Sequence, residues 1–476
     1  MMQSPQRTMG KNLHFIIIPP PFQGHINPSI QLTLKLASKG FTITFVNTHS
    51  THDKITKTCD DDVFAGARES GLDIRYRTIS DGFPLTFDRS LNREQFLEGR
   101  LHVYPAHVDE LVGQLSGSDH PPTCLVVDTF STWGSNIAWK YGLVYVSFWV
   151  QPALALTVYY HHELLKKNGH YGCTDTRKDT IDYIPGVRFL EPTDLISFFQ
   201  ETDTSTAMHR LIQKAFADVK NADIIICNTM EELEPEAISV LKEKQTVYTI
   251  GPLFPSQFTD QSVEMDLWPD SDCSRWLDSK PPGSVLYASF GSYAHSNKED
   301  IRAIADGIMV SGVSFIWVLR PGVVNCEAVD YFPDGFHEIV GNIGLVVPWC
   351  KQKMVLSHSA VGGYLTHCGW NSILESIWVG VPLICFPLLG DQTINRKLVV
   401  DDWKIGINLC EGKFVSGDQV AERIKLVMNR ETSHVLKKNI EQVRKTLENA
   451  VGSNGTSRVN FENFVDDVQA RSFAKN

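Results

Sequence analysis

The 476 residues are enough for two to four domains, and an apolar share of 42% with 21% charged residues is ordinary folded composition, which excludes a disulfide-stapled peptide scaffold and a disordered chain. Forty-four basic against 55 acidic side chains give a net charge of −11, which disfavours nucleic acid or an anionic membrane as partner but not one small bound anion. Ten cysteines with no C-x-x-C pair predict reduced thiols and no zinc ribbon; the run Phe15 to Ile18 is too short for a signal peptide or membrane span, and a cytoplasmic monomer is expected. In chain order, Leu13 to Ile18 reads as a strand buried on both faces, Pro19 to Asn27 as a loop, and Pro28 to Lys39 as a helix capped by Asn27 and Gly40. Phe41 to Val46 completes a βαβ unit, and further strands are expected at Cys124 to Val127 and Asp223 to Cys227. Lys166 to Asp182 reads as an exposed excursion.

The pattern lapses into a polar stretch, Ser256 to Asp272, and restarts with a strand at Ser284 to Ser289. Ser296-Asn-Lys-Glu299 reads as a capping box opening a helix that ends near Gly312. Strands follow at Ser314 to Leu319, Gly344 to Val347, Gly363 to Thr366 and Pro382 to Phe386, and the tail from Ser416 is mostly helical. The expectation is an α/β protein of two doubly wound domains, 1–253 and 283–455, joined by a linker at 254–282 and followed by a terminal helix, 456–476, packing back on the first domain.

No two of the 33 glycines are separated by a single residue, so the dinucleotide-binding G-x-G-x-x-G cannot be written, and no G-x-x-x-x-G is followed by Lys. No glycine pair encloses a nucleophile-elbow serine. His358, His367 and Cys368 lack the paired spacings of a structural zinc site, so no metal is expected.

What remains is dense. Trp349-Cys350-Lys351-Gln352, His358, Gly362-Gly363, His367-Cys368-Gly369-Trp370-Asn371-Ser372, Glu375 and Asp391-Gln392 fall within 44 positions. This segment resembles the signature box of plant family-1 UDP-dependent glycosyltransferases. The resemblance extends through Gly24-His25-x-x-Pro28, Val127-Asp128-x-Phe130, Ser289-Phe-Gly-Ser292 and Val399-Val-Asp-Asp-Trp403. It implies a GT-B fold: two facing Rossmann-like domains, with a small-molecule acceptor held mainly by the first and a UDP-sugar co-substrate, with no other cofactor, by the second.

Read from the residues, His367 to Ser372 lies between a buried strand and a helix, whose free N–H groups with the Asn371 and Ser372 side chains form an anion site. Alternatively, Asn371 and Ser372 merely cap that helix. The resemblance implies that His367 and Ser292 contact the diphosphate, that Trp349 stacks on uracil while the backbone of Cys350 reads its edge, and that Glu375 accepts from the ribose hydroxyls. It also assigns Asp391 and Gln392 to the hexose, Gln being usual for glucose, and places Gln352, Gly369 and Trp370 in the donor site.

His25 and Asp128 both fall at carboxyl ends of strands of one sheet. A histidine is a suitable general base for an alcohol, and a carboxylate at its other nitrogen would fix the tautomer. The family places its catalytic pair at these positions, which implies inverting transfer of a sugar, glucose first, to a hydroxyl of a hydrophobic plant phenolic, flavonoid or terpenoid. One departure stands out: where many relatives read Phe-Trp-Thr, this chain reads Phe148-Trp149-Val150, losing the hydroxyl that meets the sugar O6, so a UDP-pentose donor is an alternative. A non-catalytic binding protein is the other. Phe83, Phe87, Phe148, Trp149 and Val150, with Tyr159 and Tyr160, are the expected acceptor-side residues.

Overall fold

The computed structural model describes residues 13–58, 63–173, 177–255, 258–259, 265–323, 332–410, 412 and 415–475. Two all-parallel sheets organise the chain. The first is built from β1 (His14–Ile18), β2 (Thr42–Thr48), β3 (Ile74–Ile79), β4 (Cys124–Asp128), β5 (Val144–Trp149), β6 (Ile224–Cys227) and β7 (Val247–Thr249), in the order β3-β2-β1-β4-β5-β6-β7. The second contains β8 (Val285–Ser289), β9 (Ser314–Val318), β10 (Gly344–Val347), β11 (Val361–Thr366), β12 (Leu383–Cys385) and β13 (Gly406–Asn408), in the order β10-β9-β8-β11-β12-β13.

Both faces of each central strand are covered. Phe15 and Ile17 of β1 pack with Ile43, Phe45, Cys124 and Val126 on one face, while Ile16 and Ile18 pack with Val46, Leu125 and Val127 on the other. This period-2 split explains why the central strands read as unbroken apolar runs. In both sheets the order reverses beside the first strand, which opens a crevice at the strands' carboxyl ends.

Strand positions agree with expectation to within two residues where a strand was expected; β3, β5, β7 and β13 were not. β3 alternates buried and half-exposed residues at a sheet edge, and β7 and β13 are only three residues long. The first helix departs more. It spans Gln23–Ala37, so Gly24 and His25 sit in its first turn rather than in a loop, and Pro28 lies inside it instead of opening it. Pro28 has no N–H to give to the carbonyl four residues back, Gly24. That carbonyl instead accepts from Asn371 Nδ2 of the second domain at 2.8 Å. The helix Lys298–Ser311 is capped by Asn297, whose Oδ1 accepts from the Asp300 N–H at 2.7 Å, one residue later than the expected Ser296 cap.

The stretch expected to be a polar linker is anchored where it is described. Met265 is buried in the first domain's core, and Thr58 donates to the Asp266 carbonyl at 2.7 Å. Of Lys166 to Asp182, residues 174–176 lie outside the described set, and Ile181 is buried and bridged to Leu190. The C-terminal helix Thr456–Lys475 places Phe461, Phe464, Val465 and Val468 in the core that contains β1, and Lys475 pairs with Asp223 at 2.7 Å. The domains also meet directly: Arg396 pairs with the buried Asp194, and Ser197 Oγ accepts from the Gly390 N–H at 2.7 Å. Among the described residues no helix is long and apolar enough to cross a membrane.

Candidate active site

A cavity of about 310 Å³ lies where the two sets of strand ends face each other, lined by residues of both domains. From the first domain, the initial turn of the helix Gln23–Ala37 brings His25 to it, and β4 ends in Asp128 just behind. His25 Nδ1 and Asp128 Oδ2 are 2.6 Å apart, with side chains 17% and 4% exposed. The other carboxylate oxygen accepts from the Phe130 N–H at 2.9 Å. Asp128 is thereby fixed, Nδ1 carries the proton given to it, and Nε2 is the nitrogen left for the cavity. Phe22 and Phe130 flank the imidazole at centroid distances of 6.0 and 6.3 Å.

Opposite, the turn between β11 and the helix Trp370–Val379 holds His367, Cys368 and Gly369. Cys368 adopts φ 66°, a left-handed value uncommon for a side-chain-bearing residue, and its carbonyl is held by Asn395 Nδ2 at 2.8 Å. The imidazole of His367 is wedged between two glycines: a Cβ on Gly291 or on Gly369 would lie 2.5 Å from its Nε2. Burial pushes the His367 pKa down to about 4, so it meets a ligand near neutrality as an uncharged ring. Among the described residues no side chain caps the helix Trp370–Val379. Asn371 reaches to Gly24, and Ser372 Oγ accepts from Gln352 Nε2 at 2.9 Å, so the simple capping alternative does not hold and the N-terminal N–H groups stay open.

Gln352 organises the next part. Its oxygen accepts from Tyr364 OH at 2.9 Å and Tyr287 OH at 3.3 Å, which fixes the amide orientation, and its nitrogen donates to Glu375 Oε2 at 2.8 Å. Trp349 is oriented by its indole N–H, which donates to Asp266 Oδ1 at 3.1 Å; Gln23 Nε2 donates to the same oxygen at 2.8 Å. Asp266 therefore ties the first domain to the Trp349 ring. Ser292 and Tyr293 follow β8 on a loop held from behind by Arg320, which donates to the carbonyls of Gly291, at 3.2 Å, and Ala294.

Asp391 and Gln392 occupy the loop after β12. Gln392 Oε1 accepts from the N–H groups of Leu388 and Leu389, both at 2.8 Å, leaving the amide nitrogen as the group to offer a ligand. Asp391 Oδ2 accepts from Asn395 Nδ2 at 2.6 Å, yet burial raises its pKa to about 6. Because the folded value exceeds the ordinary 3.8, ionising this carboxyl opposes folding; the cost is absent below about pH 4 and full above about pH 6. Asp391→Asn is therefore expected to raise Tm at pH 7 but not at pH 4, while weakening donor use; thermal scans at the two pH values check it.

Every expected donor-side position, Ser292, Trp349, Cys350, Gln352, His367, Gly369, Trp370, Asn371, Ser372, Glu375, Asp391 and Gln392, lines the one cavity. The acceptor-side expectations divide. Val150 lines it, as do Tyr159 and Phe130. Phe83 and Phe87 do not: they stack on each other at 4.3 Å, with Phe83 against Gly99. Phe148 and Trp149 are core residues of β5, filling the space between sheet and helices. Sequence inspection missed Arg93, Arg100, Phe198, Met208 and Asn228, which also line the cavity. The Asn228 carbonyl accepts from the Trp370 indole N–H at 2.8 Å.

Comparison with known proteins gives this geometry a family. The family model described as "UDP-glucoronosyl and UDP-glucosyl transferase" matches residues 269–447. UDP-glycosyltransferase 86A1 of Arabidopsis thaliana is 54% identical over 475 residues, spanning 98% of this chain and 96% of its own. The chain belongs to the plant family-1 UDP-glycosyltransferases. Its fold is GT-B, similar to UDP-glucose: anthocyanidin 3-O-glucosyltransferase in complex with UDP (TM-score 0.83, 28% identity, 97% of this chain and 100% of that one). Os79 from O. sativa, also in complex with UDP, superposes with a TM-score of 0.82 at 26% identity over 95% of this chain and 100% of its own. As a UDP-glycosyltransferase the chain uses a UDP-sugar as co-substrate.

Proposed function

We propose that this UDP-glycosyltransferase transfers glucose from UDP-glucose, with inversion, to a hydroxyl of a hydrophobic small molecule. The observation that carries the reading is His25, 2.6 Å from Asp128 behind it, in the same cavity as the open helix N-terminus at Trp370. His25 Nε2 takes the acceptor's proton, the freed oxygen bonds to the anomeric carbon, and the bond from that carbon to the phosphate oxygen breaks with its electron pair leaving on UDP. Asp128 stabilises the imidazolium that forms. The helix N–H groups, His367 and Ser292 receive the charge growing on UDP. Attack from the side opposite the leaving group converts an α-linked donor to a β-glycoside.

Trp349 offers a face for uracil, Glu375 is aimed by Gln352 at the ribose, and Asp391 with the Gln392 amide nitrogen takes the sugar hydroxyls. Glucose is favoured over a pentose by a neighbour of Val150. Gln151 lines the cavity with a buried side-chain oxygen that has no partner among the described residues, and it stands in for the missing threonine hydroxyl toward the sugar O6. Gln151→Ala is accordingly expected to raise the KM for UDP-glucose about tenfold and leave that for UDP-xylose unchanged, a loss of about 1.4 kcal/mol for one hydrogen bond in a buried site. Parallel initial rates with UDP-glucose, UDP-xylose and UDP-arabinose test the donor, and a strong pentose preference in the unaltered enzyme would replace glucose by the pentose.

A further inference from the structure

The helix Arg93–His102 presents two arginines, seven residues apart and hence on one face, to the acceptor half of the cavity. Neither guanidinium makes a hydrogen bond or an ion pair among the described residues, and Arg93 Nε is buried with no partner. Both stack instead on aromatic rings. Arg93 lies 5.5 Å from the Phe198 ring centroid and 5.7 Å from that of Tyr293, and Arg100 lies 5.7 Å from Phe22. Tyr293 and Phe22 are themselves in contact at 4.7 Å, so the four side chains form a continuous row ending 6.0 Å, through Phe22, from His25. Stacking engages the flat face of a guanidinium and leaves its in-plane N–H donors free.

Most carboxylates nearby are committed elsewhere, and the one that feels the Arg93 charge, Glu201, makes no hydrogen bond to it. Asp81 binds Arg89 through two bonds of 2.6 and 2.9 Å. Asp128 is occupied by His25 and the Phe130 N–H. Glu94 accepts from the Ala207 N–H at 2.7 Å, Glu98 pairs with Arg210, and Glu201 lies 4.0 Å from His209. Burial holds the Arg100 pKa below its usual value even though the Asp128 carboxylate, itself bonded to His25, pulls it the other way. In a chain of net charge −11, two unpaired and largely enclosed cations beside the reacting hydroxyl are costly unless a ligand neutralises them.

We propose that Arg93 and Arg100 form an anion subsite for the acceptor, and that this enzyme's acceptors carry a carboxylate as well as the hydroxyl presented to His25. The inference rests on the proposed transfer to a hydroxyl. It names the acceptor class as hydroxylated aromatic or aliphatic acids, with the acid bound by the arginine pair and the apolar body lying along Phe22, Tyr293 and Phe198. The carboxylate is held and not consumed, so the product is a glycoside of the hydroxyl, stable to mild alkali, and not a sugar ester.

The test compares 4-hydroxycinnamate with its methyl ester, using the full-length enzyme and its Arg93→Gln/Arg100→Gln double variant. Binding of each compound is measured by calorimetry in saturating UDP, and KM values are taken with UDP-glucose. The unaltered enzyme is expected to bind the acid roughly ten- to hundredfold more tightly than the ester, and the double variant to lose that preference while keeping its KM for UDP-glucose. Equal binding of acid and ester would overturn the subsite even if both are glucosylated. So would a loss in the double variant that falls on UDP-glucose instead, which would give the arginines to the donor, or an alkali-labile sugar ester as product. Tight acid binding without any transfer would uphold the subsite and count against the proposed reaction, so the two readings fail separately.

Discussion

His25→Ala is expected to lower kcat by about 10²–10⁴ while the KM for UDP-glucose and the affinity for UDP stay near those of the unaltered enzyme. The division follows from position. His25 lines the cavity on the first domain, bonded behind to Asp128 and flanked by Phe22 and Phe130, whereas the groups proposed to hold the nucleotide stand on the second domain. Removing the imidazole takes away the proton acceptor without touching the His367 turn, the Gln352–Glu375 pair or Trp349. Asp128→Ala should follow the same pattern with a smaller loss, since the base remains but its tautomer and orientation are no longer held. Steady-state rates with a hydroxyl acceptor, together with UDP titration calorimetry, separate the two quantities. Full turnover by His25→Ala would contradict the assignment, and a parallel loss of UDP affinity would place His25 in donor binding.

Gly291→Ala is expected to have the opposite signature: a rise of roughly ten- to hundredfold in the KM for UDP-glucose and in the UDP Kd. Gly291 has φ 74°, and a Cβ there would lie 2.5 Å from His367 Nε2 and 2.8 Å from its Cε1. The ring is also close to Gly369, where an added Cβ would likewise lie 2.5 Å from Nε2. The added methyl must therefore displace His367 or the loop that carries Ser292. Gly312→Ala is the control: its φ of 67° imposes a similar backbone cost, of about 1 kcal/mol, with nothing within 4 Å of the new Cβ. It should lose stability and keep donor affinity. Unchanged UDP binding in Gly291→Ala would remove His367 from the diphosphate site.

The second-domain lining of the cavity was legible in the sequence because its chemistry is concentrated. Within 44 positions the box supplies most of the second-domain residues that line the cavity, and the strand ends that carry them were read from apolar runs bounded by turns. His25 and Asp128 were legible for the same reason, each standing at the end of a buried run. The start of the first helix was not. Pro28 looks like an opening residue because an N1 proline and a proline six residues inside a helix share one φ; what allows the latter is Asn371, 347 residues away in sequence, taking the Gly24 carbonyl.

The acceptor half was the least legible. Phe83 and Phe87 are aromatic and in the correct domain, but they stack on each other rather than facing the cavity. Arg93 and Arg100 sit in a helix, Arg-Glu-Gln-Phe-Leu-Glu-Gly-Arg, that carries no motif and was not singled out in the sequence. Only the packing of that helix against Phe22, Tyr293 and Phe198 turns two of its charges inward. Asp266 shows the same limit: an acidic residue in a polar stretch gave no sign that it would join Gln23 to Trp349.

The central claim is that the cavity couples an acceptor hydroxyl to cleavage of UDP-glucose. It is tested most directly by measuring UDP release from UDP-glucose with and without a panel of phenolic alcohols and hydroxy acids, and determining the anomeric configuration of the product by NMR. The expected result is UDP release that requires acceptor, with one β-linked glucoside formed per UDP. An α-linked product, or no acceptor-dependent release from any UDP-sugar with any acceptor, would contradict it.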